Sequence, residues 1–176
     1  MNGIGPIAAL PLMALAALAI AATRVPPEFT HHQAADWINS DPLTLAALKD
    51  KVVMVEFWAF ECVNCLNSRA WVEAMADSKR AQGLVVIGVH TPELQAEKNP
   101  HAVREVVDRL GIHYPVMIDE DYSYWHALHN EYWPAFYLIG RDGHLYGPVL
   151  GEMQVGDARA QKVEQAIDQL LAAPAT

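Results

Sequence analysis

Cysteine is almost absent from this chain: its 176 residues include two, Cys62 and Cys65. That excludes a multi-bridge disulfide framework and a four-cysteine zinc site. Concentrated positive charge is also missing. Twelve Lys and Arg are outnumbered by twenty-one Asp and Glu, for a formal net charge of −9, and no segment gathers the cations. Nucleic acids and anionic membrane surfaces are held by basic stripes, so neither is an expected partner. Repeats, low-complexity tracts and internal linkers are lacking as well. A composition of 52% hydrophobic and 19% charged residues is globular, so one domain is expected after the N-terminal segment.

That N-terminal segment lacks charge over most of its length. From Ile4 to Ala22 there is no Asp, Glu, Lys or Arg, and Leu10 to Ala22 is almost wholly Ala, Leu, Ile and Met before Arg24 and Pro26-Pro27. Residues 1–24 read as a secretory signal peptide or a single membrane anchor. Ala19-Ile20-Ala21 offers a small-x-small cleavage site, Met1-Asn2-Gly3 lacks the usual basic residue, and the uncharged length just suffices to span a bilayer. Either form places the domain, residues 25–176, outside the cytosol, where a disulfide persists. Membrane contact is expected only through this segment.

Downstream, apolar runs and helix signals alternate. The lead-in, Pro26 to Ser40, reads as irregular, with His31-His32 solvated and Trp37-Ile38 anchoring it to the body. Leu43, Leu45 and Leu48 suggest a short strand passing into a helical turn. Val52 to Trp58 is an unbroken β-prone run, as for a central strand covered on both faces, and Glu56 interrupts it. A helix begins at Cys62 and ends before Gly83, and Leu84 to Val89 is a second buried strand. After a polar loop, Thr91 to Lys98, Asn99-Pro100 opens a helix that stops at Gly111. Tyr114 to Ile118 is a third strand. Asp119-Glu120-Asp121 is too short for a calcium loop and reads as the cap of a helix through Trp125, Leu128 and His129. Ala135 to Ile139 and His144 to Leu150 form a hairpin across Arg141-Asp142-Gly143, and Asp157 caps a final helix with Val163, Ile167, Leu170 and Leu171 on one face. The order β-α-β-α-β-α-β-β-α predicts an α/β fold with a parallel core and an antiparallel edge.

Chemistry is expected where the first strong strand meets its helix. A thiol at a helix N-terminus faces unpaired N–H groups and the positive end of the helix dipole, which favour the thiolate. Cys62 is therefore the expected attacking sulfur, and Cys65, one turn further in, the resolving one. A zinc site would need two further ligands, which histidines alone could supply.

Phe57-Trp58-Ala59-x-x-Cys62-x-x-Cys65 after a Val-rich strand resembles the thioredoxin superfamily. Trp133-Pro134-Ala135-Phe136-Tyr137-Leu138-Ile139 with Arg141-Asp142-Gly143 is similar to that superfamily's cis-proline strand and hairpin. Gly88 to Glu93 and Tyr114 to Asp119 match the helix-strand unit inserted after the second core strand in the extracytoplasmic TlpA/ResA/DsbE-like branch. Cys62-Val63-Asn64-Cys65-Leu66, His90-Thr91-Pro92-Glu93 and Tyr132-Trp133-Pro134-Ala135 are most similar to the C-terminal thioredoxin-like domain of DipZ-type proteins. The resemblance covers about Phe29 to Leu171. It implies a thioredoxin fold: a central mixed sheet flanked by helices, with that insertion.

The resemblance further implies a thiol-disulfide oxidoreductase of the cell envelope, with no cofactor beyond a redox-active Cys62–Cys65 disulfide. Its partners would be protein thiols and disulfides, with a membrane electron-donor protein to recharge it as a reductant; oxidase and isomerase roles stay open. Trp133, Pro134 and Ala135, with Trp58 beside Cys62, would receive an extended substrate strand. Glu56 aligns with the buried acid that moves a proton to and from the resolving thiol. The alternative for Glu56 is a structural carboxylate paired with Lys51 or Lys79. Departures from thioredoxin mark the residues expected to tune the potential. Val63-Asn64 replaces Gly-Pro, and Glu61 stands in place of a second Trp, its charge expected to oppose a Cys62 thiolate. Ala70 replaces a kinking proline, so a straighter helix is expected, and Asp50-Lys51 replaces the usual Gly-Lys.

No residue is assigned as a metal ligand. His126 and His129 share a helix face and His90 ends a strand, positions usual for surface or core histidines. The competing function is a copper-binding or cytochrome-assembly chaperone that uses Cys62, Cys65 and a histidine such as His90 or His126.

Overall fold

The computed structural model describes residues 25–174. The leader or anchor read over residues 1–24 and the last two residues of the expected domain lie outside the described residues. Among the described residues no helix is long and apolar enough to cross a membrane.

Six strands form one mixed sheet. In chain order they are β1 (Trp37–Ile38), β2 (Val52–Trp58), β3 (Leu84–His90), β4 (Val116–Ile118), β5 (Ala135–Ile139) and β6 (Leu145–Leu150), lying side by side as β1-β4-β3-β2-β5-β6. Strands β2, β3 and β4 run parallel, while β1 and the β5–β6 hairpin are antiparallel. The helices are α1 (Val63–Lys79), α2 (Pro100–Leu110), α3 (Ser123–Ala127) and α4 (Ala158–Ala172). The α2–β4 unit is the insertion expected after the second core strand.

Residue parity along β2 decides what each face buries. All seven of its residues are buried, as a central parallel strand requires. Val52, Met54 and Trp58 point into one apolar cluster with Trp71, Val72, Val163 and Ile167 from α1 and α4. Val53, Val55 and Phe57 point into the other, with Phe29, Trp37, Tyr124 and Leu128. Glu56 has the parity of Met54 and Trp58, so its carboxyl enters the face that α1 covers. That is also the face of Cys65.

The termini follow the expected local chemistry. Asn99 accepts the His101 N–H at 3.0 Å with Pro100 at the first position of α2, Asp157 accepts the Ala160 N–H at 2.6 Å, and α1 runs unbroken through Ala70. A short 3-10 turn follows α1 and ends at Gly83, whose φ of 103° needs a residue without Cβ.

Four expectations are corrected. Leu43 to Leu48 contributes turns and no strand. The lead-in instead supplies β1, because Trp37 and Ile38 pair with Met117 and Val116 at the sheet edge. β4 and β6 each begin later than expected, at Val116 and Leu145. α3 stops at Ala127, and His129 leaves the helix with φ 53°. His31 is not solvated: its side chain is nine-tenths buried against Asp119.

Candidate active site

Strand β2 delivers the chain to Trp58, a three-residue turn follows, and Cys62 caps α1. The Cys62 carbonyl accepts the N–H groups of Cys65 at 3.1 Å and Leu66 at 3.0 Å, and the Cys65 N–H also approaches the Cys62 sulfur at 3.3 Å. Cys62 and Cys65 are joined as a disulfide, their Cα atoms 5.2 Å apart. Both are buried, whereas Val63 is 68% exposed and Asn64 is exposed between them. A sulfur at this cap lies where the helix dipole stabilises a developing thiolate.

Below the pair, Glu56 is 2% exposed in a strand that is otherwise apolar. Burial pushes its carboxyl up to about 8, an effect reinforced by the charge of Glu73 and partly offset by a hydrogen bond from Tyr114. That phenol donates to Glu56 Oε2 at 3.4 Å. Glu56, Trp58, Cys65, Arg69, Ile112 and Tyr114 line a cavity of about 10 Å³, close to the space one water requires. Glu56 and Cys65 therefore border the same small space. Neither lysine serves Glu56: Lys79 pairs with Asp168, and Lys51 is exposed at the start of β2. Arg69, which lines the same cavity, is engaged by Glu73 at 2.6 Å and the Leu110 carbonyl at 3.0 Å.

The Trp133–Pro134 peptide is cis. Because Phe57 pairs with Ala135, this peptide lies at the end of the sheet where β2 turns toward Cys62. Ala135 and Pro134 are buried, and the Pro134 carbonyl accepts the Gly151 N–H at 2.9 Å. Trp133 is half-buried, its ring tilted 34° against that of Trp125 with centroids 4.1 Å apart, and its indole N–H donates to the Thr91 carbonyl at 3.0 Å. The surface this motif offers is thus that of Trp133, with exposed Tyr132 before it. Trp58 was expected as groove wall; it is 3% exposed and packs edge-on to His90, so it presents no substrate surface.

One residue beside the disulfide, Glu97, escaped the sequence reading. Glu97, fully buried, accepts the N–H groups of Glu61 at 2.7 Å, Glu93 at 2.7 Å and Leu94 at 2.6 Å. Its carboxyl ties the loop after β3 to the residue that precedes Cys62. Glu61 itself is exposed and enters this network through its backbone. A Glu in a polar loop gives no signal that it folds inward. His90 is also fully buried; it stacks on Phe60, neither ring nitrogen has a hydrogen-bond partner, and burial pulls it down to about 4. His126 and His129 are exposed. Among the described residues no histidine joins the two sulfurs in a group of three ligand atoms.

The Redoxin family model matches residues 21–167. The chain belongs to the redoxin family. Its thioredoxin-like fold is shared with the crystal structure of a thioredoxin-like superfamily protein, at a TM-score of 0.76 and 23% identity over 88% of this chain and 100% of that one. The chain is 40% identical over 119 residues to Protein DipZ of Mycobacterium tuberculosis, a match that covers 66% of this chain and 17% of DipZ. It is 27% identical over 146 residues to the thiol-disulfide oxidoreductase YkuV of Bacillus subtilis, covering 83% of this chain and 93% of YkuV. The likeness to DipZ-type proteins and the thiol-disulfide oxidoreductase class read from the motifs are both supported by these relatives. The chain spans about a sixth of the length of DipZ.

Two outcomes follow from these environments. Glu56 holds its proton to about pH 8 when folded and to about 4.5 when unfolded. Between those values the native state binds more protons, so stability falls as pH rises, by several kcal/mol in all. Urea unfolding of the oxidised protein at pH 5.5 and 8.5 should show this loss, and Glu56→Gln should remove most of it. Glu97→Ala strands three backbone N–H groups at about 1–3 kcal/mol each. Its unfolding free energy should drop by at least about 3 kcal/mol, with Glu97→Gln falling in between.

Proposed function

We propose that this redoxin-family protein exchanges electrons with protein disulfides outside the cytosol, acting as a reductant through Cys62 and Cys65. The observation that carries the reading is a disulfide at a helix cap whose inner cysteine shares a cavity with a buried carboxyl near pKa 8. In the reduced protein the Cys62 thiolate attacks a substrate disulfide, forming a Cys62–substrate bond and releasing one substrate thiolate, which takes up a proton. The ionised Glu56 carboxylate then accepts the proton of Cys65. The Cys65 thiolate attacks the Cys62 sulfur, closing the intramolecular disulfide and releasing the second substrate thiolate, which takes the proton back from Glu56. Two electrons pass to the substrate, and the reverse sequence, fed by a membrane electron-donor protein, restores the dithiol.

A thiol of ordinary pKa about 8.5 and a carboxyl near 8 exchange a proton with almost no free-energy difference, which a carboxyl at 4.5 would not allow. Trp133 is the part of the Trp133-Pro134-Ala135 motif placed to meet an extended substrate backbone. Neither its amide nor its carbonyl has a backbone partner among the described residues, whereas the Pro134 carbonyl is taken. Val63 and Asn64, both exposed beside Cys62, are the residues we assign to tuning the potential and contacting the substrate, together with Glu61. The extracytoplasmic location rests on the uncharged N-terminal segment and the likeness to DipZ. No observation favours the metallochaperone alternative, since histidine does not join the sulfurs among the described residues.

Reduction of a protein disulfide substrate separates the roles. Cys62→Ser should abolish turnover. Cys65→Ser should complete the first attack and accumulate a mixed disulfide visible on a non-reducing gel, and Glu56→Gln should slow release and flatten the pH profile. Parental turnover in Cys62→Ser would overturn the assignment.

A further inference from the structure

The thiol chemistry leaves one cluster unused, between the lead-in and the loop after β4. The side chain of His31 is 10% exposed, that of Asp119 fully buried, and that of Asp121 62% exposed. His31 Nε2 lies 3.7 Å from Asp119 Oδ1 and 3.5 Å from Asp121 Oδ1, and the three residues each bring one ligand atom within 4.8 Å of the others. The buried Nε2 makes no hydrogen bond. A buried imidazole nitrogen aimed at two carboxylates yet bonded to neither is unusual, because hydrogen bonds of this type close to about 2.7–3.2 Å. Those spacings suit a different partner. Two ligands on a tetrahedral ion with bonds of about 2.0–2.2 Å stand roughly 3.3–3.6 Å apart.

We propose that His31 Nε2, Asp119 Oδ1 and Asp121 Oδ1 bind one divalent transition-metal ion of the zinc class. Two carboxylates balance the charge of the ion, the imidazole selects a borderline metal over calcium or magnesium, and solvent on the exposed side of Asp121 completes the shell. The carboxylates are held in place by a second set of contacts, as metal ligands usually are. Asp119 Oδ2 accepts Thr91 Oγ1 at 2.9 Å and the Trp125 N–H at 3.1 Å, and Asp121 Oδ1 accepts the Ser123 N–H at 2.8 Å. Asp119 Oδ1 accepts the Tyr124 N–H at 2.9 Å, and the Ser123 hydroxyl oxygen stands off at 3.4 Å with its proton given to Thr30, which leaves a lone-pair direction open to an ion. Ser123 Oγ donates to Thr30 Oγ1 at 2.7 Å, pinning the lead-in next to His31. Thr91 joins the cluster to the proposed substrate motif, since its carbonyl takes the Trp133 indole N–H. The ion would thus clamp the lead-in onto the loop behind Trp133. The site does not depend on the thiol chemistry.

Zinc added to the full-length, metal-stripped protein tests this, with the Cys62–Cys65 disulfide intact so that neither sulfur competes as a thiolate. Isothermal titration should give one equivalent bound and thermal unfolding an upward shift. Both should be lost in His31→Ala and weakened in Asp121→Asn, but kept in His32→Ala, which changes the exposed neighbour. Calcium should produce no shift. Absence of stoichiometric uptake by the parent, or equal uptake by His31→Ala, would leave the cluster a simple ion pair and overturn the proposal.

Discussion

Burial of one carboxyl in the central strand is the constraint on which the site depends. The residues flanking Glu56 in β2 are apolar and the sheet covers it on both sides, so its charged form is disfavoured and the group stays protonated up to about pH 8. A carboxyl in such a position is tolerated because it stays protonated and has a polar neighbour. The phenol of Tyr114 is that neighbour, and Glu56 shares a small cavity with Cys65. The same strand that pays for the carboxyl ends four residues before Cys62, so the buried acid and the reactive pair are set by one element.

The second layer is positional. Cys62 caps α1, Glu97 accepts the N–H of the residue before it together with those of Glu93 and Leu94, and β5 aligns the cis Trp133–Pro134 peptide with the end of β2. Each contact joins a different segment to the turn between Trp58 and Cys62. The disulfide is thus held from the strand side, from the loop after β3 and from the hairpin, while Val63 and Asn64 stay exposed between the sulfurs.

Much of this was legible in the sequence because it is local. The cysteine spacing, the β-prone run containing an acid, the Asn99-Pro100 and Asp157 caps, and the Trp-Pro before an apolar strand each carry their physical reason within a few residues. The α/β order followed from the alternation of such signals, and the insertion from the resemblance of Gly88 to Glu93 and Tyr114 to Asp119 to the TlpA/ResA/DsbE-like branch. What stayed hidden depends on tertiary position. Glu97 and the exposed Glu93 look alike in a polar loop, and only the fold decides which one turns inward. Trp58 is a wall residue by position in the motif, yet its parity sends it into the core with Met54. His31 reads as solvated beside His32 until β1 joins the sheet edge and brings it against Asp119. Leu43, Leu45 and Leu48 are spaced in a way that suggests a strand, but the segment pairs with no strand of the sheet and folds as turns.

The central claim is that Glu56 exchanges its proton with the cysteine pair, and its carboxyl can be observed directly. Selectively labelled protein, with Glu56→Gln used to assign the signal, should be titrated by carboxyl ¹³C NMR in the oxidised and the reduced state. The account predicts a midpoint near 8 in the oxidised protein and a different midpoint once the disulfide is opened. A midpoint near the ordinary 4.5, or the same value in both redox states, would contradict it.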